Sequence, residues 1–230
     1  MLRLVEDREK IDIFLDKLLN LHNLETKKYQ APFLCTGAAI SAAKQLLSEE
    51  GKISALNHQG GRILVFSSNI ASSGIGSLLW REDTKLYNTD KEKVLLSPVN
   101  DFYVKMAEEC VEQRICVDLI YAINSAKSID LTSIAPIAAL TGGDMHLFSP
   151  FDPMKHGEKL HYEIFRILTR TQGTEVAIKA RASTGLTVTE YFGSFGFKEI
   201  ADFALAAIDC DKSLGFVVRN DEKLKEDSNA

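Results

Sequence analysis

The sequence has 230 residues, 45% hydrophobic and 26% charged, enough to bury roughly 70–75% of its unfolded surface as one domain and part of a second. With 27 basic against 32 acidic side chains, a formal charge of −5, it carries no electrostatic footprint for nucleic acid, and no run of Lys or Arg marks a membrane-binding patch. No stretch approaches the roughly 18 uninterrupted apolar residues of a membrane span, and residues 1–10 are too charged for the core of a signal peptide, so a cytosolic location is expected.

Ile11, Phe14, Leu15 and Leu18 recur at helical spacing and predict an amphipathic helix over Asp7–Leu21, followed by a polar connector over Asn23–Gln30. A second helix is expected from Thr36, its first turns built of small residues that let it lie close to a sheet. Ile63-Leu64-Val65-Phe66 is a short continuous apolar run after Gly60-Gly61, the pattern of a parallel strand covered on both faces. The irregular stretch Ser67–Pro98 is several times longer than an ordinary connection and reads as a functional or interface loop. Asp101 is expected to cap a helix with Tyr103, Met106, Ala107 and Cys110 on its apolar face. A strand over Ile115–Ile123, a helix over Asp130–Leu140 stopped by Gly142-Gly143, a strand over Met145–Phe148 and a helix over Glu158–Arg170 complete an alternating α/β layer.

At Gly173 the pattern changes to period two. Glu175–Ala182 and Leu186–Gly193 read as two strands joined by Ser183-Thr184-Gly185, and a three-residue loop would pair Ala182 with Leu186, Ala180 with Val188 and Val176 with Phe192. That hairpin would gather Lys179, Arg181, Thr187, Thr189 and Tyr191 on one polar face, a seat for an acidic or carboxylate-bearing peptide. A solvated outer face of an antiparallel sheet produces the same pattern.

Catalytic and metal motifs do not converge. The alternating layer is compatible with a von Willebrand A-type fold, but its metal-binding Asp-x-Ser-x-Ser is not in the sequence, and Asp130-Leu131-Thr132-Ser133 has the wrong spacing. Gly74-Ile75-Gly76 continues into neither a dinucleotide fingerprint nor a phosphate loop and reads as turn glycines. The histidines 22, 58, 146, 156 and 161 are scattered, and no Gly-x-Ser-x-Gly elbow is present. Asp118, inside Ile115-Cys116-Val117-Asp118-Leu119-Ile120, must either meet solvent or be satisfied by backbone amides. Cys35, Cys110, Cys116 and Cys210 form no Cys-x-x-Cys pair and are expected to be reduced core thiols.

Gly61-Arg62-Ile63, then Gly74-Ile75-Gly76-Ser77-Leu78-Leu79-Trp80-Arg81-Glu82-Asp83, then Asp101-Phe102-Tyr103-Val104-Lys105-Met106-Ala107, in that order, resemble the trunk of the cargo-adaptor subunit of the COPII vesicle coat, the Sec-twenty-four family. Val117-Asp118-Leu119, Thr141-Gly142-Gly143, Leu168-Thr169-Arg170, Gly185-Leu186 and Gly215-Phe216 fall where that family has similar residues.

The resemblance implies a von Willebrand A-like parallel sheet with flanking helices, followed by antiparallel β-sandwich strands. It divides the chain into a partial trunk, 1–171, a partial β-sandwich, 172–220, and a polar tail, 221–230. It also implies a non-enzymatic coat subunit for transport from endoplasmic reticulum to Golgi, paired with a Sec-twenty-three-type subunit. Such a subunit contacts cytosolic tails of membrane cargo, the small GTPase Sar-one indirectly and the membrane surface peripherally, at endoplasmic reticulum exit sites and on COPII vesicles.

The family's two alternating basic residues before the Gly-Leu turn, which face a cargo pocket, fall on Lys179 and Arg181, with Tyr191 on the same predicted face. Lys179 replaces the usual Arg, so a point charge stands where a planar fork would grip a carboxylate in two places. The family's zinc finger, first trunk strands, all-helical domain and gelsolin-like domain have no counterpart here, and no cofactor or metal is expected. The alternatives are an α/β hydrolase or transferase using Asp118 or the Gly74–Gly76 loop, and a metal-dependent adhesion module of von Willebrand A type.

Overall fold

The structure, a computed structural model, describes residues 7–28, 34–53, 60–123, 129–197 and 203–221. Helix α1, Arg8–Lys28, belongs to a compact unit of its own, distinct from the unit formed by residues 35–230. It runs through most of the predicted connector. Ile13, Phe14, Leu15, Leu18 and Leu19 on α1 are exposed.

The second unit opens with α2, Thr36–Ile53, and continues with β1, Gly61–Ser67, α3, Phe102–Glu112, β2, Ile115–Ala122, α4, Leu131–Thr141, β3, Met145–Phe148, and α5, Pro153–Thr169. The three strands form a parallel sheet in the order β1-β2-β3, with Ile63 opposite Val117 and Leu119 opposite Met145. β2 is the central strand and is buried along nearly its whole length, as an apolar run interrupted only by Asp118 requires. Its odd-numbered side chains, Val117, Leu119 and Tyr121, pack with Ile63 of β1 against Ile40 of α2, Tyr103 and Met106 of α3 and Ile134 and Ile137 of α4. On the opposite face, Ile120 and Phe148 meet Ile167, Leu160 and Ile164 of α5. Each large aliphatic side chain buried this way contributes about 1.5–3 kcal/mol.

The helix ends follow local chemistry. Asp130 caps α4, its carboxylate accepting from Ser133 N and from Ser133 Oγ, at 3.2 and 2.8 Å. α4 stops at Gly142 in the left-handed region, φ 79°, with Gly142 N–H and Gly143 N–H both returning to Ala138 O. α5 begins five residues earlier than predicted, because Asp152 accepts from Met154 N and Pro153 occupies the first helical turn. α3 lacks its predicted cap bond. Asp101 makes none, and the neighbouring Asn100 Oδ1 accepts from Phe102 N instead.

After α5 come β4, Gln172–Ile178, β5, Leu186–Phe192, β6, Gly196–Phe197, β7, Phe203–Asp209, and β8, Gly215–Asn220. They form two antiparallel sheets, β4-β7-β6 and β5-β8, so the predicted change to antiparallel structure is present. Phe195 and Leu205 are buried in the core they share, with Val176, Ile178, Tyr191 and Leu214 around them. β7 also covers one end of the parallel sheet, where Ala206 and Ala207 bury Cys116.

Candidate functional site

The predicted hairpin does not form. β4 pairs with β7, Val176 opposite Leu205, while β5 pairs with β8, Tyr191 opposite Phe216. Ser183-Thr184-Gly185 still makes a turn, closed by Leu186 N–H to Ser183 O, but it ends an extended segment that carries the chain from one sheet to the other. The physical reason is the common core: Val176 and Ile178 reach it from one sheet and Tyr191 from the other. Period-two alternation reports that one face of each strand is buried and is silent on which strand pairs with which.

The single polar face is therefore replaced by two environments. Lys179 and Arg181 lie exposed on the bridging segment 179–185, two residues apart. Tyr191 is half-buried on β5, its ring edge-on to Phe216 with centroids 5.6 Å apart. Thr187 donates to Asp221, and Thr189 donates to Val217 O beside a register shift in the β5–β8 ladder.

What fixes the sandwich to the α/β layer is a seam of ion pairs. Arg170, at the end of α5 and with only 5% of its side chain exposed, pairs with Asp144 after α4 and with Asp209 at the end of β7, the latter at 2.9 Å. Lys212 bonds Asp144 and donates to Gly143 O at 3.0 Å. Arg166 grips both carboxylate oxygens of Asp211, at 3.0 and 2.6 Å. Burial pushes the Asp144 carboxyl up, but its bonds to Lys212 and Arg170 outweigh that and hold it below the ordinary value.

Asp118 belongs to the same end of the sheet. It is fully buried, its Oδ1 accepting from Asp144 N at 2.9 Å and its Oδ2 from Arg62 at 2.8 Å. Burial nevertheless raises its pKa, because desolvation outweighs the Arg62 charge. A carboxylate sealed and paired in this way is closed to substrate, and its role is structural.

Sequence reasoning singled out Asp118 but missed Arg62, Asp144, Arg170, Asp209, Asp211 and Lys212. The available signals were Arg62 as the lone cation in an apolar strand, and Asp209-Cys210-Asp211-Lys212 as a dense charged run after another.

The long loop is built around Arg81. Its guanidinium donates to Val94 O at 2.8 Å, Leu95 O at 3.3 Å, Ser97 O at 2.6 Å and the Asp130 carboxylate at 2.9 Å. Those bonds fold the chain, including single 3-10 turns at Thr84–Leu86 and Glu92–Val94, against the start of α4. Gly76, at φ 67°, accepts a 2.7 Å bond from Tyr103 Oη, and a Cβ there would lie 2.2 Å from the Phe102 ring. Gly74 and Gly76 thus shape a turn, as expected.

Two of the four cysteines depart from expectation. Cys110 and Cys116 are buried, and burial pushes their thiols up to about 11 and about 12. Cys35 and Cys210 are exposed, one immediately before α2 and the other in the turn after β7. Among the described residues no three His, Cys, Asp or Glu side chains are grouped to hold a metal ion, and no helix is long and apolar enough to cross a membrane.

Residues 1–168 match the family described as the Sec23/Sec24 trunk domain. "Protein transport protein SEC24 B" of Arabidopsis thaliana is 33% identical over 230 residues, covering 98% of this chain and 20% of its own length. "Protein transport protein Sec24C" of Homo sapiens is 32% identical over 171 residues, covering 74% of this chain and 15% of its own. The crystal structure of the human COPII-coat protein Sec24c superposes with a TM-score of 0.86 at 26% identity, over 98% of this chain and 29% of that one. This chain spans about a fifth of the length of the curated relatives it matches.

Proposed function

Because this chain belongs to the Sec23/Sec24 trunk family, and within it to the Sec24 members, we propose that it serves as a COPII coat adaptor that binds sorting signals on membrane-cargo tails during transport from endoplasmic reticulum to Golgi. The observation that carries this reading is likeness over nearly the whole chain, through the parallel layer and into the sandwich. A docking role for this chain is in keeping with the sealing of Asp118, which leaves that carboxylate closed to substrate.

In this reading the parallel layer pairs with a Sec-twenty-three-type subunit. The chain then sits peripherally on the cytoplasmic side of the membrane at exit sites and on vesicles, meeting the Sar-one GTPase only through that partner. It binds tails without a cofactor or metal of its own.

Lys179 and Arg181 are the proposed tail-binding cations. They project from an exposed extended segment that crosses between sheets, so an acidic tail could lie along it. Tyr191, half-buried on β5 with its ring edge-on to Phe216, belongs to the other environment and is proposed as a separate contact for the tail.

Titration of the full chain with acidic tail peptides tests the site. Exposed ion pairs contribute about 0–1 kcal/mol each, so Lys179→Ala and Arg181→Ala should each weaken binding by up to about fivefold and together by more. Unchanged affinity in the double variant overturns the site. Capture of a Sec-twenty-three-type subunit by the same variant would leave the adaptor reading standing, and failure of capture by the unmodified chain would remove it.

A further inference from the structure

The loop organised by Arg81 carries a cleft that the tail-binding proposal does not use. It has a volume of about 200 Å³ and is bounded by Trp80, Tyr87, Leu95, Leu96 and Ile129, with Glu82 and Glu92 at its edge. Trp80 is 57% and Leu96 70% exposed, and Leu79, Val94 and Val99 are exposed beside them. An apolar surface of this kind, framed by charges, marks a binding site.

Three features identify the occupant. The cleft is held in advance of binding, since Arg81 ties the loop to three carbonyls and to Asp130, so little ordering entropy is lost on docking. Its lining is acidic: Asp130 pairs with Arg81, and the carboxylates of Glu82 and Glu92, which accept from Tyr87 Oη and from Asn88 N–H at 2.8 and 3.2 Å, line it as well. The loop's own lysines, 85, 91 and 93, do not line it, and Lys93 borders a separate recess with Arg81 and Val99. Its aromatic walls, one of them Tyr87 with its hydroxyl donated to Glu82 at 2.8 Å, suit a cation lying over a ring.

The geometry points to a docking site for a peptide segment of a partner protein that presents an aliphatic side chain flanked by Arg or Lys. The aliphatic group fills the space between Trp80 and Leu96, and the cation lies against the rings and pairs with Glu82 and Glu92. This is the reverse of the charge chemistry at Lys179 and Arg181. The two sites are separate predictions.

Trp80 is the only tryptophan in the chain, so its fluorescence reads this cleft alone. The full 230-residue chain is titrated with three capped Gly-Ser peptides, each holding one Leu flanked by two Arg, two Glu or two Ser. The Arg peptide should give a saturable blue shift with affinity about tenfold above that of the Glu peptide, the preference that charge complementarity of two rim carboxylates gives. In the Glu82→Gln, Glu92→Gln double variant that preference should disappear while the Leu-dependent shift remains.

Absence of a saturable shift with the Arg peptide, equal affinity for the Glu peptide, or an unchanged preference in the double variant would each overturn the assignment. Should the double variant fail to fold, the unmodified chain decides through ionic strength. The Arg preference must collapse on raising salt to about 0.5 M, where exposed charges are screened, and persistence there overturns the proposal equally.

Discussion

Asp144 and Asp118 lie one hydrogen bond apart and answer pH in opposite senses. Asp144 is held below the ordinary value of 3.8, so its ionised form contributes stability that is complete above that value and is lost as pH falls through the lowered one. Asp118 is raised, so its contribution is present below 3.8 and is lost as pH rises through the raised value. Asp144→Asn removes the charge shared by Lys212 and Arg170, both largely buried, and should cost about 2–3 kcal/mol at pH 7. In urea unfolding, the gap between variant and parent should narrow as pH drops below 3.8. A gap that is constant or widens there would show that the seam does not depend on this charge. Asp118 was legible in the sequence as a misplaced carboxylate, but its partner was not. Arg62 reaches it diagonally because the register sets Arg62 opposite Cys116 and Leu64 opposite Asp118. That register is a tertiary fact, written in no local spacing.

At the level of elements, the connection from α4 to β3 does two jobs at once. Gly142 stops the helix at positive φ, and its missing side chain leaves room for β7, since a Cβ there would sit 2.3 Å from Ala207 O. Gly142→Ala therefore combines backbone strain with a displaced sandwich strand and should cost about 2–3 kcal/mol. Thermal unfolding should register this as a fall of roughly 5–10 °C for a chain of this size; a change within 1 °C would mean β7 does not rest there. The Gly142-Gly143 stop was readable from composition, as were the apolar strands and the spacing of α3, because each is a local rule. The β4–β5 pairing was misread for a related reason. Thr184-Gly185 forms a genuine turn, and a turn between two alternating strands is the usual mark of a hairpin. Here a buried cluster around Phe195 and Leu205 draws the strands to opposite sides, and tertiary burial overrides the local signal.

Across the whole second unit, the parallel layer and the sandwich share β7, which packs on Cys116 of β2 while pairing with β4 and β6. The order of these parts was legible because the motifs Gly61–Ile63, Gly74–Asp83 and Asp101–Ala107 follow one another along the chain, an order that does not depend on the spacing between them. The cleft beside Trp80 was legible only as an unusually long loop, since its shape depends on one arginine reaching carbonyls up to 16 residues away. The placement of the four cysteines carries a practical consequence. Cys35 and Cys210 are open to reagents, whereas Cys110 and Cys116 lie within the layer with their thiolate forms suppressed. Under native conditions an alkylating probe should modify two thiols quickly and two slowly, with the slow pair accelerating in step with denaturant; four equal rates would contradict the packing around β2. Because Cys116 lies under β7 and Cys110 on the buried face of α3, mass spectrometry of the slow pair would time two separate openings. The molecule thus carries its own pair of stopwatches, one for the sandwich lifting away and one for the helices coming loose.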